Sequence, residues 1–148
     1  MSRTLTLNLA FNAGAVVITV ILNTYNLGLL QGQGLPLWAS IVIGVVVLDY
    51  FSYVAHWLMH KLPRLWRVHR VHHSDPLVDV TTAYRQHPFE GLVRFLFAMI
   101  PAWALGLPAE AVAVYRLLSA SNALLEHMNI KLWQPLDTIL SVLLVTPT

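Results

Sequence analysis

Between Arg3 and Asp49 the sequence carries no formal charge, so residues 4–48 form a run of 45 without Lys, Arg, Asp or Glu. A helix needs about 20 mostly apolar residues to cross a bilayer, so this run holds one span and most of a second. The first is expected over Leu7–Leu30, a break at Gln31-Gly-Gln-Gly-Leu-Pro36, and the second over Trp38–His60. Two glycines and a proline favour a turn there over a continuing helix. A cleaved signal peptide would fit the first segment less well. Met1-Ser-Arg3 is a minimal basic lead, the apolar run is too long, and no small-residue cleavage site stands out.

The rest of the composition agrees. Only 11% of residues are charged and 57% are hydrophobic, against about a quarter charged in ordinary soluble domains. Mean hydropathy is +0.63. A water-solvated globule is disfavoured, and a disordered chain is excluded because disorder requires high charge and low hydrophobicity. The net charge of +2 and pI of 9.2 reflect a topology bias rather than a nucleic-acid-binding face. Cysteine is absent, which removes disulfides and all thiolate metal sites.

Two further apolar segments, Gly91–Leu107 and Ala109–Leu125, meet at Gly106-Leu-Pro108, where Pro108 suits the first turn of a new helix. Each is close to the lower length limit for spanning. Leu132–Val145 is too short to span and reads as an interfacial helix. Lys61, Arg64, Arg67, Arg70, Arg85 and Arg94 all fall between the second helix and the body of the third. The positive-inside rule puts that region and both termini in the cytoplasm. The expected fold is therefore all-α: one membrane-embedded domain, residues 1–148, with about four transmembrane helices and a C-terminal interfacial helix. The basic residues are read first as topology anchors, and Trp57, Trp66 and Trp133 as interface-belt aromatics.

All seven histidines lie on the same expected cytoplasmic face. His56 and His60 are spaced H-x-x-x-H at the end of the second helix, so both rings share one side. His69, His72 and His73 are spaced H-x-x-H-H in 63–74, a helix that Pro63 can open and Asp75-Pro76 can close. His87 and His127 follow later. A single histidine is most simply a hydrogen-bonded interface residue. Five within 18 residues at a membrane boundary are not, because unpaired buried polar groups are costly there. A metal provides the pairing, and neutral imidazole suits iron, zinc, copper or nickel. Spacing alone leaves a zinc hydrolase and an iron oxygenase open, with either two metals or one metal and supporting histidines.

His56-Trp-Leu-Met-His60 followed by His69-Arg-Val-His72-His73 resembles the first two histidine boxes of the fatty acid hydroxylase/sterol desaturase superfamily. Asp49-Tyr-Phe-Ser-Tyr53, Arg85-Gln-His-Pro-Phe-Glu90 and Glu126-His-Met-Asn129 resemble further segments of its bacterial members. The resemblance implies an integral-membrane di-iron oxidoreductase that uses O2 to hydroxylate or desaturate a lipid C–H bond. It implies His56, His60, His69, His72, His73 and His127 as metal ligands, with His87 as a ligand or support. Asp49 and Asn129 would orient ligands, although Asp49 would serve equally as an ion-pair partner of Arg116. Two iron ions would be the cofactors, with zinc as a substitute in purified protein. The electron donor would be a cytochrome b5-like protein, a ferredoxin or a reductase. The topology fits a bacterial inner membrane or an endoplasmic reticulum, and the short uncharged loops favour the bacterial membrane.

The superfamily carries a last H-x-x-H-H box after a short amphipathic stretch and a Thr-Pro. Here Leu132–Val145 and Thr146-Pro147 match that lead-in, and no later histidine follows. The sequence is thus expected to be C-terminally incomplete: a fragment of a longer enzyme, or a truncated, non-catalytic metal-binding protein. A zinc-dependent hydrolase is less favoured, since no H-E-x-x-H is present and Trp57 stands where the glutamate base would be.

Overall fold

Two prolines set the limits of the longest helix, α2 (Leu37–Lys61). Pro36 precedes it in an extended conformation, and Pro63 bars the α conformation at Leu62, whose ψ of 117° breaks the chain direction. Pro63 then opens the short α3 (Pro63–His69), which folds back against α2. The computed structural model describes residues 2–128 and 130–140. The other helices are α1 (Ser2–Thr24), α4 (Pro88–Leu105), α5 (Ala109–Glu126) and α6 (Gln134–Leu140). Short 3-10 turns stand at His72–Ser74 and Val80–Tyr84, and there is no strand among the described residues. The protein is an all-α membrane bundle.

Among the described residues, three helices are long and apolar enough to cross a membrane: 6–24, 37–61 and 88–105. The segment expected as a fourth span forms α5, as long as α4 but interrupted by Glu110, Arg116 and Glu126. Both α1 and α2 pack against α4 and α5. Their outer faces stay apolar, with Leu9, Val17, Val42 and Val46 exposed as a lipid-facing surface requires. The core is built largely from small residues, including Ala15, Ala98, Ala102 and Ala111, which let backbones approach closely. At Gly44 a Cβ would lie 2.7 Å from that of Ala111, which marks a close contact of α2 with α5.

The first helix ends earlier than its composition suggests. Expected to reach Leu30, it stops at Thr24, and the chain turns at Asn26 (φ 51°) and Gly28 (φ 128°). The cause lies across the fold. Carbonyls in the last turn of a helix have no partner within it. Here Leu29 and Leu30 donate their N–H groups to Ala104 and Leu105 of α4 at 3.0 and 2.8 Å. Asn23 joins the same junction, donating to the Leu107 carbonyl and accepting from the Ala109 N–H. Apolar residues 27–30 therefore cap a neighbouring helix instead of extending their own.

Gly106 ends α4 in the left-handed region (φ 68°), with the Leu107 N–H reaching back to Ala102 at 2.9 Å. A Cβ here would come within 2.5 Å of the Leu27 carbonyl. Gly106→Ala is expected to destabilise the fold by about 2–4 kcal/mol, from left-handed strain plus overpacking. Thermal unfolding in detergent micelles checks this, and an unchanged Tm would refute the role given to the junction.

Candidate metal centre

The corner at Leu62-Pro63 turns two sequence patterns into one site. His56 and His60 share a face of α2, and α3 returns along that face to bring His69 back to His60. The helix expected over 63–74 ends at His69, and a 3-10 turn carries His72 and His73. That change of helical pitch separates the two neighbours. His73 joins His69, while His72 turns toward His127 at the end of α5.

Two groups of ring nitrogens result. In the first, Nε2 of His60 lies 3.1 Å from Nε2 of His56 and 3.3 Å from Nε2 of His69, which is 3.1 Å from Nε2 of His73. All four ligand atoms fall within 4.8 Å of one another. Metal–nitrogen bonds of about 2.0–2.1 Å place neighbouring ligand atoms about 3.0–3.4 Å apart. The spacing fits a metal without rearrangement of the backbone. In the second group Nε2 of His72 and Nε2 of His127 are 3.3 Å apart. The groups adjoin, with the His69 and His72 rings stacked at 5.7 Å between centroids.

Hydrogen bonds on the far side of two rings leave Nε2 free to ligate. His69 donates from Nδ1 to Glu90 Oε1 at 3.0 Å, and His127 from Nδ1 to the Ala123 carbonyl at 2.7 Å. His56 is held the other way, its Nδ1 accepting from Arg94 Nη2 at 3.1 Å. Ligation through its Nε2 needs the ring proton on Nδ1, so a metal there would have to displace the Arg94 contact. His72 Nδ1 is buried without a hydrogen-bond partner among the described residues, an orphaned donor atom in a site built of donors.

Glu90 and Arg94 were not picked out as site residues by spacing, although Glu90 falls in the quoted segment Arg85–Glu90. Glu90 is fully buried, and Arg94, one turn on, donates from Nε to its Oε1 at 3.1 Å. A carboxylate and an arginine four residues apart in an otherwise apolar helix were the available signal. Trp66, expected in an interface belt, is partly exposed beside the imidazoles. Its ring packs on His60 and His73, with centroids at 5.4 and 5.7 Å.

Two other expected site residues lie outside the two groups of rings. His87 is exposed and caps α4, its Nδ1 accepting from the Phe89 N–H. Asp49 is not ion-paired with Arg116 among the described residues; the described ion pairs are His69–Glu90, Asp75–Arg85 and Glu90–Arg94. Asn129 lies outside the described residues, as do 141–145 of the expected interfacial helix and Thr146-Pro147.

Burial holds His72 well below its usual 6.5, at about 4, with Glu90 opposing and His127 and His73 reinforcing the shift. Burial lowers His73 in the same direction. His72 and His73 are therefore neutral near pH 7, the form that ligates. Above pH 6.5 neither folded nor unfolded chain holds the His72 proton; between 6.5 and about 4 mainly the unfolded chain does. Stability is thus expected to be flat above pH 6.5 and to fall as pH drops toward 4. Melting in detergent across that range tests it, and a Tm that rises on acidification would contradict it.

A cavity of about 990 Å³ lies between α2 and α5 beside the histidines. Asp49, Ser52 and His56 line one wall, Ser119, Asn122 and His127 the other, and Arg94 and His72 also border it. The cavity therefore joins both histidine groups to the space between two long helices. Apolar Val45, Tyr53, Leu118 and Leu125 complete a lining of mixed character.

Comparison with known proteins gives two findings. The model of the fatty acid hydroxylase family matches residues 41–148. The ornithine lipid hydroxylase OlsE of Rhizobium tropici is 33% identical over 107 residues, covering 72% of this chain. The chain spans 32% of that relative's length. No solved structure matches it.

Proposed function

Because the chain belongs to the fatty acid hydroxylase family, we propose that it is the membrane-embedded metal-binding part of an O2-dependent lipid hydroxylase. The observation that carries the reading is the convergence of His56, His60, His69 and His73, with His72 and His127 alongside. Two irons are the proposed occupants, the first held by the four-histidine group and the second drawing on His72 and His127. Iron bound there supplies the redox chemistry that inserts one oxygen atom of O2 into a C–H bond, the other leaving as water with two protons and two electrons.

The protein's own part is placement. Neutral rings bring no negative charge to the metals, and His69 and His127 are fixed in the ligating tautomer by Glu90 and the Ala123 carbonyl. The cavity between α2 and α5 lets a lipid approach from the bilayer while the packed helices exclude water. Its polar wall of Asp49, Ser52, Ser119 and Asn122 suits a lipid whose polar part enters along with its carbon chain. The similarity to a relative named an ornithine lipid hydroxylase supports that preference. Electrons enter from the cytoplasmic side, where Lys61, Arg64, Arg67 and Arg70 are exposed and suit an acidic donor of the cytochrome b5, ferredoxin or reductase kind. The proposed location is a bacterial inner membrane with both termini inside.

Metal analysis and lipid mass spectrometry test the proposal together. Cells expressing the protein are expected to accumulate a lipid heavier by one oxygen atom, and the purified protein to carry iron. Metal-replete protein holding zinc but no iron would overturn the oxygenase reading.

A further inference from the structure

Glu90 is the fully buried carboxylate beside the imidazole cluster. Its Oε1 is doubly engaged, accepting from His69 Nδ1 at 3.0 Å and from Arg94 Nε at 3.1 Å. Its Oε2 is buried with no hydrogen-bond partner among the described residues. Arg94 extends the arrangement to a second histidine through Nη2 and His56 Nδ1. One carboxylate and one guanidinium thus tie together a ring from α3 and a ring from α2. Its charge also reaches His72 and His73, where it opposes the effect of burial.

An anion in such a place is expensive unless a cation compensates it. A single arginine already offsets Glu90, but Arg94 engages only one oxygen. A cation held by the four Nε2 atoms would supply the missing compensation, because a carboxylate acting through a ligating histidine raises the basicity of that ring.

We infer that Glu90 is the positioning residue of the four-histidine group, fixing Nε2 of His69 as its ligand atom and supplying the negative charge that favours a bound cation. Arg94 holds Glu90 in place. The inference rests on the metal-centre reading given above and adds a named anion to a set otherwise built of neutral rings.

The test is titration of the full chain in detergent micelles with Co(II) alone, followed by its visible absorption. Glu90→Gln keeps the shape and an oxygen that can accept from His69, and removes the charge. It is expected to weaken Co(II) binding by about 10–100-fold and to alter the spectrum. Glu90→Asp, which keeps the charge, is expected to recover part of the loss. Binding by the Gln variant within about twofold of the unmodified chain, with the same spectrum, overturns the inference while leaving the metal centre intact. Failure of the unmodified chain to bind Co(II) overturns the metal-centre reading itself. If the Gln variant does not fold, the 15N shifts of His69 in the unmodified chain test the same point. An Nδ1–H tautomer at neutral pH supports the inference, and an Nε2–H tautomer overturns it.

Discussion

His60→Ala and His69→Ala are each expected to lower metal affinity by more than about 100-fold, since a lost ligand costs more than a lost supporting group. On the proposed function, lipid hydroxylation should vanish with the metal. The two variants should nevertheless differ in stability. His60 is exposed, so its removal takes away a ligand and little packing. His69 is fully buried and donates to Glu90, so its removal strands a buried carboxylate with Arg94 as its remaining partner. That loss should cost about 1–3 kcal/mol in addition. Metal content and Tm measured side by side check the pair. Equal metal loading of both variants and the unmodified chain would remove the four-histidine group as a metal site. His87→Asn makes a useful contrast, because asparagine can replace the helix cap that His87 provides. It should leave metal content unchanged.

The second large effect concerns the cavity. Ser52 and Ser119 face it from opposite helices, and neither belongs to the clustered histidines. Replacing both with tryptophan should narrow the space between α2 and α5 and, on the proposed function, displace the lipid from the metal centre. Misplacement by about 1 Å can cost about 100-fold in rate, so a loss of at least that size is expected. Metal content should remain that of the unmodified chain. Retained iron with lost hydroxylation would assign the cavity to the lipid. Full activity in the doubly substituted protein would exclude it as the substrate's position.

Much of this organisation was legible in the sequence because membrane helices announce themselves through local composition. The proline breaks and the H-x-x-x-H spacing are each contained within one or two turns of chain, and the uncharged run is one contiguous stretch. They indicated a second helix over Trp38–His60, which forms as Leu37–Lys61, and the start of α5 at Ala109. The end of α1 was not legible, because it depends on carbonyls of α4 far along the chain that Leu29 and Leu30 satisfy. For the same reason the apolar 27–30 segment looked helical.

The histidines show the same division. Their number and spacing, with an apolar chain around them, were sufficient to indicate a metal site and a family. Which ring joins which group was decided only in three dimensions. His72 and His73 are adjacent in sequence, yet the 3-10 turn sends them to different partners. His87 had the right residue type and the right side of the membrane, but the helix start at Pro88 takes it as a cap. Glu90 gained its place because α4 packs against α2 and α3, which no periodicity along its own helix records. Composition and spacing determined that this chain enters a membrane and gathers imidazoles, because hydrophobicity and helical period act over short range. The packing of α3, α4 and α5 around α2 decided the ligand groups, the buried carboxylate behind them and the cavity beside them, because those depend on contacts between residues remote in sequence.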